Sequence, residues 1–349
     1  MDAPPRRWGI LGTGWIAQRF CNAMALHTQQ QVYAAGSRTL EGAVEFVDAF
    51  VERNHSVAAR DPGARPAAYG TYEELVADPA VDVVYVATPH NYHHAHARLA
   101  LEAGKHVVVE KPMGLDAAEC RDLAALASKR GLFLMEAMWT LFLPKYDVIR
   151  QLVEGGSLGT VHSVIADMGE HFGPEHRIMR ADLAGGPLYD LGTYPVTLAT
   201  WLLGSPQEVR AVGTVAPPEL SPSGVNGQTA VALRTASGGV AALHTTLLGD
   251  TPTAATVVGS KGTLLIDGPF HQPGGFTFTP HGGEAMRYDE PRIGHAGLHF
   301  EAAEATRCIA AGELESPLRP VRDTIATIEV MDAIHHQLRH ASTGPDPAP

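Results

Sequence analysis

Trp8-Gly9-Ile10-Leu11-Gly12-Thr13-Gly14-Trp15-Ile16-Ala17 decides the fold. An apolar, β-rich run at 8–11 passes directly into G-T-G-W-I-A, which opens an apolar helix. The first glycine permits the tight turn, the second lets the backbone approach a pyrophosphate, and the small Ala17 lets helix and strand pack closely. A helix starting here offers free N–H groups and a positive dipole end to an anion. Working outward, the runs at 8–11, 32–35, 81–87, 106–109 and 132–135 read as strands separated by longer amphipathic stretches. That rhythm predicts an N-terminal, doubly wound parallel sheet covered by helices. The stretch 54–68, rich in Pro, Gly and Arg, reads as an exposed inserted loop to which no chemistry is assigned.

Beyond about residue 140 the pattern changes. An apolar helix is expected over 188–203, followed by strand-like runs at 209–215, 229–234, 240–247 and 263–266 between Gly- and Pro-containing turns. They predict a C-terminal α+β domain with a large open, mostly antiparallel sheet. Helices are expected at 297–311 and 322–339. The predicted organisation is a dinucleotide-binding domain at 1–136, a substrate-binding and dimerisation domain at 137–340, and a flexible tail at 341–349 that ends STGPDPAP.

With 349 residues, 45% of them hydrophobic, the chain can bury a large core. No apolar run approaches the roughly 20 residues of a membrane span, and MDAPPRRWGIL lacks the order of a secretory signal, so a cytoplasmic location is expected. Cys21, Cys120 and Cys308 form no CxxC pair and read as buried free thiols. A net charge of −12 argues against nucleic-acid or anionic-membrane partners, leaving a small molecule as the expected ligand.

The second strand selects the cofactor. An acidic residue at its end would bind the ribose hydroxyls of NAD, whereas Ala35-Gly36-Ser37-Arg38 offers a hydroxyl beside a guanidinium, which suits a phosphate monoester. NADP is therefore expected, with NAD the weaker alternative. Thr88-Pro89-His90-Asn91-Tyr92-His93 follows the fourth strand at the carboxyl edge, where open parallel sheets bind ligands. His93 and His96 share a helical face, but no third ligand stands at zinc spacing. Glu170-His171 with Glu175-His176 matches neither HExxH nor HxxEH, so no metal site is expected.

Two segments carry candidate chemistry. Glu110-Lys111-Pro112 ends the next strand on the same edge, where an ammonium can hydrogen-bond a substrate hydroxyl and favour its deprotonation. In Gly185-Gly186-Pro187-Leu188-Tyr189-Asp190-Leu191-Gly192-Thr193-Tyr194-Pro195, Asp190 and Tyr194 fall four apart on one helical face. Pro195 is expected to kink the helix, because it cannot donate to Leu191. A polar pair inside an apolar helix is expensive unless it has a task.

GTGWIA, the ATP-x-x-x-H segment, AGKHVVVEKP and GGPLYDLGTYP together resemble the glucose–fructose oxidoreductase, inositol dehydrogenase and MocA (Gfo/Idh/MocA) family. EAMWTLFLPKY, VVGSKGTLLIDGPF and GLHFEAAEATRCIAAGELESP are similar to its NADP-dependent dihydrodiol and D-xylose dehydrogenases. The resemblance implies a Rossmann domain followed by an α/β domain whose open sheet forms a homodimer interface. It implies hydride transfer between NADP(H) and the CH–OH group of a sugar, polyol or cyclic diol. Gly12, Thr13, Gly14, Trp15 and Ile16 would touch the pyrophosphate, Ser37 and Arg38 the 2′-phosphate, and Thr88, Pro89, His93, Glu110 and Lys111 the nicotinamide half.

Lys111, Asp190 and Tyr194 form the implied catalytic group, and the substrate-binding candidates are Trp139, His171, Arg177, Asp190 and Tyr194. Tyr194 would act as general base, with Lys111 lowering its pKa and Asp190 orienting the pair. The chain departs from the family at Leu141, where relatives often have Arg, and at Arg180-Ala181, which replaces an Asp-Pro-like pair. Two other functions fit the same fold: a non-catalytic NADP-binding regulator, which would lose the Lys/Tyr pair, and an NAD-dependent glycoside-cleaving enzyme, which would form no net NADPH.

Overall fold

The computed structural model describes residues 4–54 and 65–341. Most of the loop expected at 54–68, and the tail from 342 onward, lie outside the described residues. The chain forms two compact units. The first comprises Met1–Gly114, Ala118–Leu143 and Ile293–Val321, the second Leu115–Ala117, Pro144–Arg292 and Arg322–Pro349. The chain therefore passes between units more often than a single boundary at 136/137 describes.

The first unit is built on β1 (Arg7–Leu11), β2 (Gln31–Gly36), β3 (Ala67–Tyr69), β4 (Val83–Val86), β5 (His106–Glu110) and β6 (Leu134–Ala137). They lie in the order β3-β2-β1-β4-β5-β6, all parallel, which is the doubly wound arrangement. Helices cover both faces, so β4 is buried along its whole length and reads as a continuous apolar run, Val-Val-Tyr-Val. Strand β3 was not expected, being only three half-buried edge residues. Strand β6 starts two residues later than its apolar pattern suggests. Leu132 N–H closes the preceding helix on Ala127 O, and Phe133 N–H goes to His106 Nδ1. Leu134 N–H then bonds Leu314 O, which brings the returning segment 293–321 onto this sheet edge.

The second unit holds β7 (Val161–Gly169), β8 (Pro206–Val215), β9 (Asn226–Thr235), β10 (Val240–Thr246), β11 (Ala255–Gly259), β12 (Gly262–Ile266), β13 (Phe276–Pro280) and β14 (Met286–Tyr288). The order is β14-β13-β12-β11-β7-β10-β9-β8, antiparallel except for β10 on β7. Period-two alternation is clean in β9 and β10, where every second residue is buried. The helix Thr193–Leu203 packs against β7 and β10. Ile165 pairs through Thr256 to Leu265, so these two exposed apolar residues stand in one row of the same face, with exposed Val240 and Val212 on that face too. No helix among the described residues is long and apolar enough to cross a membrane.

Candidate functional site

In the first unit, the turn after β1 has the geometry its glycines imply. Gly12 adopts φ +97°, and a Cβ there would sit 2.7 Å from Ala87 O, so both backbone and space demand glycine. At Gly14, apart from its chain neighbours, no atom among the described residues lies within 4 Å of a Cβ. What Gly14 keeps clear is the approach to the helix Trp15–His27, whose N-cap it forms without any side-chain cap and with no acid in the first turn. Uncapped N–H groups with open space in front fit a diphosphate. Thr13 and Ser37 hydroxyls stand 3.5 Å apart, while Trp15 is exposed and Ile16 half-buried.

Ser37 and Arg38 follow β2 directly. Arg38 is exposed and has no acidic partner among the described residues; burial pushes the nearby Tyr72 phenol up, and the charge of Arg38 only partly opposes this. A guanidinium with no protein anion at the end of β2 fits a 2′-phosphate better than a diol.

At the ends of β4 and β5 the side chains hold the backbone. Thr88 is buried, and its hydroxyl pairs with His96 Nδ1 at 2.9 Å. His93 was expected to face the nicotinamide; it is buried instead, with Nε2 2.7 Å from Thr88 O and Nδ1 2.7 Å from Pro112 O. The two contacts tie the loop after β4 to the loop after β5. Glu110 is buried and turned inward. Its Oε1 accepts a short hydrogen bond from Tyr85 OH, and its Oε2 accepts the Lys111 N–H at 3.0 Å. Burial and the charge of Glu110 push the Tyr85 phenol well up. Burial, reinforced by Glu110, likewise pushes up Glu301, whose two oxygens have no hydrogen-bond partner among the described residues. Pro89 and Lys111 are half-buried, and Trp139 is buried in the turn Trp139–Phe142 with its ring stacked 5.5 Å from His295. Leu141, one of the departures from the family pattern, is buried in that turn.

In the second unit, the expected helix over 188–203 divides. Leu188–Gly192 is a π-helical turn and Thr193–Leu203 is α-helical. Pro195 cannot donate to Leu191, and the interruption is accommodated by widening the preceding turn. Asp190 sits in the π turn, buried, and takes Arg177 bidentately, Nη2 to Oδ1 at 2.6 Å and Nη1 to Oδ2 at 3.4 Å. Two candidates from separate segments thus form one ion pair. Tyr194 is buried, with its ring 4.7 Å from that of His271. His171 is exposed, its N–H held by Asp250 at 3.0 Å. His176 accepts the Ile178 N–H at 3.3 Å, and burial with the nearby Arg177 holds its pKa below the usual imidazole range. Arg180, the other departure, is exposed and paired with Asp182 at 2.6 Å.

His271 is a neighbour of Tyr194 that the sequence reading missed. It belongs to the apolar segment GPFHQP, and a single His in a short loop carries no periodic signal. The loop is clamped by Lys145, which donates to Gln272 O, and by Tyr146 OH, which donates to Phe270 O at 3.1 Å. Burial lowers the Lys145 ammonium to about 8. Among the described residues, no group of three His, Cys, Asp or Glu side chains is placed to hold a metal ion.

Comparison with known proteins agrees with this arrangement. The profile of the oxidoreductase family with an NAD-binding Rossmann fold (GFO_IDH_MocA) spans residues 6–138, and that of the GFO/IDH/MocA C-terminal domain spans 146–265. The chain is 35% identical to the D-xylose 1-dehydrogenase (NADP(+)) of Hypocrea jecorina, covering 93% of this chain and 90% of that protein. It is 31% identical to the trans-1,2-dihydrobenzene-1,2-diol dehydrogenase of Xenopus tropicalis, covering 95% and 98%. Among solved structures, the aldose-aldose oxidoreductase from Caulobacter crescentus complexed with glycerol superposes with TM-score 0.82 at 27% identity, covering 97% of this chain and 98% of that one. A 3-ketoreductase from Actinomadura kijaniata in complex with NADP and TDP-benzene gives TM-score 0.80 at 26% identity, covering 96% and 98%. With the glycine turn, the sheet order and the C-terminal sheet all in place, this chain belongs to the Gfo/Idh/MocA oxidoreductase family.

Proposed function

We propose that the protein is an NADP-dependent dehydrogenase that oxidises a CH–OH carbon of a sugar, polyol or cyclic diol, of D-xylose or trans-dihydrodiol type. The observation that carries the reading is the carboxyl edge of the six-stranded sheet. There the glycine turn, Ser37-Arg38, Thr88-Pro89 and Lys111 follow β1, β2, β4 and β5 in turn. The relatives named above support the substrate class. Gly12, Thr13, Gly14, Trp15 and Ile16 would hold the diphosphate and Ser37 with Arg38 the 2′-phosphate. Thr88, Pro89 and Lys111 would hold the nicotinamide half, with His93 and Glu110 behind them. NADP, when bound, supplies the hydride acceptor.

The overall change is CH–OH + NADP⁺ to C=O + NADPH + H⁺. Tyr194 takes the hydroxyl proton. A free phenol has a pKa of about 10, so a cation must favour its phenolate for the transfer to run near neutral pH, and Lys111 has that task. Arg177, by neutralising Asp190, sets the charge carried by the turn just before Tyr194. Trp139 and His171 complete the proposed substrate contacts. A screen of pentoses, hexoses, inositols and cyclic diols for reduction of NADP tests the reading; reduction by none of them would reject it.

We also propose a homodimer through the uncovered face of the eight-stranded sheet. Exposed Ile165, Val212, Val240 and Leu265 are the support, because a broad sheet face with apolar side chains is stabilised by a partner. Light scattering is expected to give twice the mass of one chain, and Ile165→Asp with Leu265→Asp to shift it to the monomer; a monomer at micromolar wild-type concentrations would refute the proposal. The three cysteines, all buried and in no disulfide among the described residues, fit a reducing compartment, the cytoplasm.

A further inference from the structure

We propose that Arg319 is a positioning residue for Lys111, acting through Glu136 on the turn 111–113. The inference rests on the reading of Lys111 given above, and everything it uses lies in the first unit.

Three consecutive residues of that turn have a backbone group held by a buried ionisable side chain. Lys111 N–H goes to Glu110 Oε2 at 3.0 Å, Pro112 O takes His93 Nδ1 at 2.7 Å, and Met113 N–H goes to Glu136 Oε1 at 3.2 Å. The first two anchors belong to the strand and helix beside the turn. The third comes from β6, and its other oxygen is engaged from 183 residues further along the chain, where Arg319 Nε and Nη2 reach Glu136 Oε2 at 3.0 and 2.7 Å. The Arg319 and Glu136 side chains are 2% and 1% exposed.

Such a pair is a poor way to gain stability, because desolvating two charges offsets most of their attraction and an apolar pair of similar volume does as well or better. It does give direction. A carboxylate gripped on one oxygen has its second oxygen aimed, and that oxygen holds Met113 N–H. Arg319 is itself rigidly mounted. Its N–H bonds Ser316 O at 3.3 Å, and Ser316 Oγ bonds Glu304 Oε1 at 2.7 Å on the helix His299–Ala310. The line of contacts runs from that helix through Ser316, Arg319, Glu136 and Met113 to the backbone of Lys111. A shift of the turn by a fraction of an ångström would move the Lys111 ammonium off the reacting oxygen, while the diphosphate and 2′-phosphate contacts stayed as they are.

The test is kinetic, with NADP and D-xylose or, if D-xylose is not oxidised, the strongest substrate of the screen, well below each variant's melting temperature. The double replacement E136M/R319M removes both charges together and so keeps the site folded and apolar. It is expected to lower kcat about 10- to 100-fold with NADP affinity within two-fold of wild type; wild-type kcat would overturn the proposal. R319K, which keeps a cation on Glu136, is expected to stay within about three-fold of wild-type kcat; a loss as large as that of the double replacement would make the guanidinium a packing group and overturn it. In a K111A background the double replacement is expected to cost nothing further, since the effect passes through Lys111. An additional ten-fold loss there would place the action elsewhere. K111A alone separates the two claims: wild-type kcat in K111A would reject the assignment of Lys111 itself, whatever Arg319 does.

Discussion

Replacing Tyr194 by Phe is expected to lower kcat by about 10²–10⁴, the usual contribution of a positioned acid–base group, with NADP affinity largely kept. The phenol is assigned to the substrate and not to the cofactor, and the ring retained in Phe still packs on His271, so the fold loses little. Lys111→Ala is expected to show a loss of similar size. The two together should cost little more than the worse single variant, because a base proposed to depend on a cation is already disabled when either is absent. A double-mutant cycle in kcat, with NADP titrations alongside, checks this. Near wild-type kcat in Tyr194→Phe would move the base to another group. His171 and His176, both exposed, are the next to examine.

Arg38→Ala is expected to weaken NADP binding about 10- to 100-fold while leaving NAD nearly untouched. The guanidinium follows β2 with no acidic partner among the described residues, so a 2′-phosphate is the group that gains most from its charge. NAD, carrying a hydroxyl at that place, makes no charge-assisted bond there. Titration of the variant with both cofactors decides the matter. Equal losses would mean that Arg38 contacts the adenine or the diphosphate and does not discriminate.

The two kinds of information in the sequence differed in reach. Local rules sufficed for the glycine turn, because Gly12 and Gly14 act through their own backbone, and for the parallel sheet, because strands buried on both faces are written as unbroken apolar runs. The same rules located the helix of Asp190 and Tyr194 and the break in it. They did not say that Pro195 would be absorbed by a π turn over Leu188–Gly192, which depends on what the helix packs against. Strands β7, β11, β13 and β14 were not separately legible. β7 carries the weaker alternation VHSVIADMG, and the others are three to five residues long, stabilised by neighbours that no local pattern announces.

In the candidate site, residues proposed to act by their own charge could be nominated from the sequence: Arg38, Lys111 and Asp190. Residues that act by holding another residue could not. The ring of His93 read as a ligand-facing group until the structure placed a carbonyl against each of its nitrogens. Arg319, 183 residues from Glu136, carries no sign in SPLRPV of the carboxylate it meets. The return of segment 293–321 to the first unit is a long-range fact, fixed by contacts such as Leu134 N–H to Leu314 O, and no periodicity within either segment encodes it.

The central claim, hydride transfer from a substrate carbinol carbon to NADP, is tested most directly by isotope transfer. The enzyme is incubated with NADP⁺ and a sugar or diol from the screen deuterated at the oxidised carbon, D-xylose labelled at C1 first, and the nicotinamide is analysed by mass spectrometry. The account predicts one deuterium per reduced nicotinamide, accumulating in step with the oxidised product. Product formed without labelled NADPH would contradict it and would favour transient use of the cofactor, as in the glycoside-cleaving alternative.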